Sequence, residues 1–132
     1  MDFYILNTNL CNGKTDHEDM LLNGKASANY DPWKFKIERI LRDDVVFLYQ
    51  NEVGIVALGE ADGMLIKEPY EGDLEGKYSM NLQRFHHVKP PLTAGEIKSI
   101  AGIDYPFRHT LFQLDGTKGK AIKDFIYTSG RA

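Results

Sequence analysis

Cysteine is almost absent from this 132-residue chain. Cys11 stands alone, so it has no internal partner for a disulfide, and a reducing, cytoplasmic setting is the expectation. Long apolar runs are missing too: no window approaches the roughly eighteen residues that a membrane span needs. The start, Met1-Asp2-Phe3-Tyr4, lacks a basic stretch followed by an apolar core, so neither a secretory signal nor a membrane partner is expected. Positive charge is in deficit. The 16 Lys and Arg against 19 Asp and Glu leave a net charge of −3, so a broad electrostatic grip on nucleic acid is not on offer. Any such contact has to come from a local patch.

Metal-ligating types are sparse as well. His86 and His87 are adjacent, so on a strand they point to opposite faces, and His17 and His109 lie far from them. With no cysteine cluster, no zinc site and no other metal is expected, and no cofactor either. Cys11 near His17 lacks an orienting third group, and an inert thiol is the simpler reading. Gly54, Gly59 and Gly63 form no phosphate-cradling loop ahead of a helix. The chain shows no repeat and no low-complexity segment, and its length suits one domain over residues 1–132.

What the chain does have is centred on Asp43–Ala61. Two apolar runs, Val45–Tyr49 and Gly54–Leu58, are split by a short polar connection, the pattern of a buried β-hairpin. Gly54 and Gly59 mark places where a bulge or a close backbone approach is expected. Before the hairpin, residues 2–9 read as a buried strand with a polar tip. A short helix capped at Thr15 or Asp16 follows, running to about Leu22, and then a small polar stretch to Tyr30. Asp31-Pro32 reads as a helix start, with Trp33, Ile37, Ile40 and Leu41 on one face and Lys34, Lys36, Arg39 and Arg42 on much of the rest. Residues 62–76 read as an acidic solvated loop, and 78–87 as a strand of poor alternation ended by Pro90-Pro91. Thr93 and Glu96 have capping-box spacing for a helix closed by Gly102; a strand over 108–114 and a helix over 118–127 follow. The sum is an α+β domain, a curved sheet or open barrel with short helices packed outside.

The segments Phe3-Tyr4-Ile5-Leu6-Asn7-Thr8-Asn9, Ala28-Asn29-Tyr30-Asp31-Pro32-Trp33 and Asp43–Ala61 together resemble the EVE-like branch of the PUA-like superfamily, whose relatives include YTH and ASCH domains. The similarity covers residues 2–61, and the order of elements carries it loosely to the end. It implies a PUA-like mixed β pseudobarrel that reads nucleic acid, DNA or RNA, and holds a modified base in an aromatic-walled pocket. It also implies a setting in modification-dependent restriction or RNA modification, with a partner protein in a larger system. This chain departs from the family in having Asn29-Tyr30 and then Trp33 where EVE and YTH domains place a pocket tryptophan, and in being acidic.

A flipped base needs flat rings to stack on and polar groups for its edge. Asn7, Thr8, Asn9, Asn29, Tyr30, Trp33 and Tyr49 are the expected pocket, and Lys34, Lys36, Arg39 and Arg84 the expected contacts to the nucleic-acid backbone. Each has a plainer reading: aromatics at helical spacing are commonly core, and a basic helix face is commonly solvated surface. Two alternatives stay open beside a nucleic-acid reader. One is a regulatory module binding a small molecule or a protein on the same barrel, and the other an ASCH-like enzyme acting on nucleosides. No catalytic residue stands out in the sequence.

Overall fold

The computed structural model describes residues 1–8 and 14–132. In chain order its elements are β1 (Phe3–Asn7), α1 (Lys14–Asn23), β2 (Lys25–Asn29), a 3₁₀ helix (Trp33–Arg39), β3 (Val45–Gln50), β4 (Gly54–Ala61), β5 (Ile66–Tyr70), β6 (Asp73–Leu92), α2 (Ala94–Ala101), β7 (Leu111–Leu114) and α3 (Gly116–Thr128). The strands form one mixed sheet in the order β2-β6-β4-β3-β1-β7, with β5 also on β6. Only β1 and β3 pair in parallel among these neighbours. The result is a curled half-barrel, an α+β pseudobarrel of PUA-like form.

Side-chain alternation along β1 and β3 feeds two separate cores. Tyr4, Leu6, Val46 and Leu48 face Met20, Ile37 and Met80 on one side. Phe3, Ile5, Val45 and Phe47 face Ile97, Ile122 and Ile126 on the other. The central hairpin is therefore covered on both faces, which is why its two strands read as continuous apolar runs rather than alternating ones.

Several elements differ from the sequence expectation for physical reasons. The segment after Asp31-Pro32 is a 3₁₀ helix, so its period is 3.0 and Lys34, Ile37 and Ile40 share the inward face. Trp33 and Leu41, placed inward by a 3.6 period, stay 40% and 63% exposed. Asp31 does not cap this helix; Pro32 holds the cap position without a side-chain bond. The small polar stretch after α1, to which the sequence reading gave no element, is strand β2, its small side chains buried against β6. The acidic loop contains β5, hairpinned to the start of β6. Strand β6 runs past Pro90-Pro91 to Leu92, and its register shifts against β4 explain the poor alternation in its sequence.

The capping box at α2 is present in full, and Gly102 ends that helix in the left-handed region. Glu96 serves twice. It bonds Thr93 and also takes a two-pronged pair from Arg131, at 3.0 and 2.7 Å, which ties the C-terminal segment to α2. The Arg131 guanidinium, followed by the Thr93 amide, holds the Glu96 carboxyl down at about 2. A depressed carboxylate stabilises the fold above its unfolded-state pKa and loses that contribution as pH falls through its folded value. Because the pair is partly solvated, Glu96→Gln is expected to cost only about 1 kcal/mol at neutral pH. Urea unfolding checks this: the gap from the parent should shrink steadily between pH 4.5 and pH 2.

Candidate nucleic-acid interface

The first turn of α1 sets Asp16, His17 and Met20 on one inward side, by the three- and four-residue spacing of a helix. Met20 enters the core, while the two polar residues meet the ends of β1 and β2. The Thr8 hydroxyl pairs with His17 Nδ1 and lies 3.3 Å from the Tyr49 carbonyl, which also accepts the Thr8 amide at 2.9 Å. Burial pushes the His17 imidazole below its ordinary value, so the ring is neutral near pH 7. Asp16 accepts from Asn29 Nδ2 at 3.2 Å, from the Tyr70 hydroxyl at 3.1 Å and from Lys77 Nζ at 3.4 Å. Lys77 also faces Asp19, which is paired with Lys25 at 2.7 Å.

Directly after Asn29, Tyr30 adopts a left-handed backbone, φ 66°, with its amide donating to Gly76. Its ring stands edge-on to Tyr70 at 5.4 Å and its hydroxyl donates to Glu71, a carboxylate contact that pushes the phenol up. Trp33 follows one 3₁₀ turn later, on the same outward column as Lys36 and Arg39. Thus Thr8, Asn29 and Tyr30 gather around the first turn of α1, with Trp33 exposed close by in the chain. Asn9 lies outside the described residues.

Asn7 and Tyr49 occupy the opposite face of the sheet. The Asn7 amide donates to Asn51 Oδ1 at 2.6 Å and to the Phe107 carbonyl at 2.7 Å. Tyr49 stacks flat on Phe107, centroids 4.2 Å apart and planes 6° off parallel, and burial raises its phenol. These two brace the end of β1 from behind. The alternation of a strand forbids Asn7 and Thr8 from sharing one face.

The expected backbone contacts are dispersed. Lys34 is buried beneath the β5–β6 hairpin tip, bonded to the Glu75 carbonyl at 2.8 Å and paired with Asp31 at 3.1 Å and Asp73 at 3.6 Å. The Arg39 carbonyl receives the Tyr4 hydroxyl, which puts the end of the 3₁₀ helix at the start of β1. Thr8 sits four residues on, about 13 Å along the strand. Arg84 grips Glu60 with two nitrogens, and Glu60 pairs with Val45, itself opposite Phe3, so Arg84 too belongs to that far end. Lys36 is half-buried on the outward column. The residues that sequence reasoning missed around the first turn of α1 are Asp16, His17, Tyr70 and Lys77. Among the described residues no group of three or more His, Cys, Asp or Glu is arranged to hold a metal, and no helix is long and apolar enough to cross a membrane.

Neither a protein-family model nor a curated protein matches the chain. Solved structures do. A Pseudomonas syringae protein aligns with TM-score 0.62 at 12% identity, covering 94% of this chain and 99% of that one. An Agrobacterium tumefaciens protein aligns at 0.64 and 9%, covering 98% and 94%. Human THYN1 protein, solved in complex with DNA containing 5-methylcytosine, aligns at 0.53 and 8%, covering 100% and 99%. At such identities the likeness is one of fold. This chain has the EVE/PUA-like fold.

Proposed function

We propose that this protein is a nucleic-acid-binding reader that takes a modified base at the corner where the ends of β1 and β2 meet the first turn of α1, and we call that corner the recess. The observation that carries this reading is the convergence at one corner of two buried polar pairs, Thr8 with His17 and Asn29 with Asp16, beside the solvent-facing ring of Tyr30. Those pairs hold the ends of β1 and β2 against α1 as a fixed polar floor, while Tyr30 and Trp33 offer the flat faces on which a base stacks. The left-handed backbone at Tyr30 supports the reading, because a non-glycine residue held there is under strain of about 1 kcal/mol or more, and such strain gathers at functional sites. The fold shared with a human protein solved on 5-methylcytosine DNA points the same way. Asn7 and Tyr49 act from the opposite face by fixing the end of β1, and Lys36 lies on the outward column with Trp33.

The test is binding of oligonucleotides with and without 5-methylcytosine. Each stacked base–ring contact contributes about 1–3 kcal/mol, so Tyr30→Ala and Trp33→Ala should each weaken binding of the modified oligonucleotide roughly tenfold to a hundredfold. Affinity should also fall with salt. If both variants stay folded and bind as the parent does, the pocket assignment is lost.

A second reading has its own observation. Between α2 and α3 lies an open cavity of about 370 Å³ lined by Thr93, Gly95, Glu96, Ser99, Ile100 and Phe125. A module binding a small molecule there would show saturable ligand binding indifferent to changes at Tyr30 and Trp33.

A further inference from the structure

Strand β7 and the loop before it run beside the end of β1 that leads to Thr8. Leu6 is opposite Leu111, and the Asn7 amide donates to the Thr110 carbonyl at 2.8 Å. The Asn7 side chain donates as well to the Phe107 carbonyl at 2.7 Å, so the turn that carries Arg108 lies at the end of β1. The loop is held firmly there. Phe107 is stacked on Tyr49, its carbonyl accepts from the Asn7 side-chain amide, and Tyr105 and Phe112 both pack edge-on against the same ring. What this anchored loop turns outward is Arg108, exposed and with no carboxylate partner among the described residues.

Arg108 contrasts with the cations nearer the recess. Lys77 and Lys25 are neutralised by Asp16 and Asp19, and Lys34 by Asp31 and Asp73. Arg84 is committed to Glu60 at the other end of the sheet. A chain of net charge −3 that holds a polyanion must do so through a local uncommitted cation, and a planar guanidinium suits the two oxygens of a phosphodiester. From this geometry we infer that Arg108 grips the phosphate flanking the base in the recess, with the Ile103–Thr110 loop as a rigid arm aimed by the Asn7 amide and the Tyr49 ring. This rests on the reader assignment and names the group that supplies its phosphate contact.

The experiment titrates a short DNA duplex carrying one 5-methylcytosine, and its unmodified twin, with the parent protein, Arg108→Ala and Arg108→Lys at several salt concentrations. Arg108 is exposed, so all three should melt alike. Arg108→Ala should weaken both duplexes by the same factor, about five- to tenfold at moderate salt, and reduce the salt slope by about one unit. Arg108→Lys should keep the slope and lose only part of the affinity, since a point charge replaces a two-pronged one. If the parent binds and Arg108→Ala matches it in affinity and slope, the inference is overturned while the base-reading assignment stands. If the parent binds neither duplex, nor the corresponding single strands in DNA or RNA, both fall together.

Discussion

Gly54→Ala is expected to remove about 4 kcal/mol of stability, a large share of the roughly 5–15 kcal/mol that native domains have. Gly54 opens β4 with φ +129°, a conformation that side chains rarely tolerate. A methyl group there would sit 2.1 Å from the Leu92 carbonyl oxygen, 2.7 Å from its carbon and 3.0 Å from Thr93 Cα. All three are main-chain atoms, so no rotamer change relieves the overlap; β4 and the end of β6 must part. Backbone strain of about 1–3 kcal/mol adds to overpacking of a similar size. Gly72→Ala is the matched control. It too has a positive φ, +85°, but nothing within 4 Å, so only the conformational cost of about 1 kcal/mol applies. In urea the Gly54 variant should show a much lower midpoint than the Gly72 variant, with similar slopes. Equal midpoints would mean that the two strands do not approach as closely as 2.1 Å implies. The consequence reaches the recess, because Ile55, next in chain, pairs with Tyr49, whose carbonyl holds Thr8.

The close approach at Gly54 is legible in sequence because a glycine set against an apolar β-branched run marks a bulge or a tight backbone contact. The β3–β4 hairpin and the capping box at Thr93 are legible for a related reason: each rests on residues within a few positions of one another. The 3₁₀ helix is not. Trp33, Ile37, Ile40 and Leu41 satisfy the 3.6 period, yet Lys34 is drawn inward by Asp73 and the Glu75 carbonyl, roughly forty residues on, and only the tighter period places it there. Strand β2 is hidden because Ala26, Ser27 and Ala28 have little strand preference, and their burial comes entirely from pairing with β6.

The recess is half legible. Thr8, Asn29 and Tyr30 stand out as polar and aromatic groups at the ends of recognisable segments. Asp16 and His17 do not, since an acidic first helical turn already accounts for them. Tyr70 and Lys77 lie in or beside a stretch whose glycines and acids read as solvated loop, and their partner Asp16 is 54 and 61 residues away. Side-chain parity is where sequence reasoning grouped too much. Asn7 and Thr8 are neighbours in the chain, and for that reason their side chains serve opposite faces.

Asp16 is where fold and recess depend on one group, and Asp16→Ala should reveal both. The Asp16 and Lys77 side chains are each 10% exposed, and among the described residues Lys77 keeps only the more solvated Asp19, at 3.6 Å, once Asp16 is gone. Leaving a buried ammonium with a poor counter-charge costs about 3–5 kcal/mol, and the Asn29 amide and Tyr70 hydroxyl lose an acceptor at the same time. Lys77→Met is expected to be milder, about 1–2 kcal/mol, because Asp16 still receives Asn29 and Tyr70. The double variant Asp16→Ala/Lys77→Met should then be more stable than Asp16→Ala alone, with a coupling energy of about 1–3 kcal/mol in the cycle. A double variant no better than the single would show that the cost is lost packing rather than a stranded charge. Asp16→Asn separates stability from recognition: it keeps the shape and an acceptor for Asn29 and Tyr70, and gives up the charge facing Lys77. If Asp16 works by holding Asn29 in place for a base edge, the folded Asp16→Asn protein should bind 5-methylcytosine DNA only a few-fold more weakly than the parent. Tyr30→Ala should lose far more in the same titration.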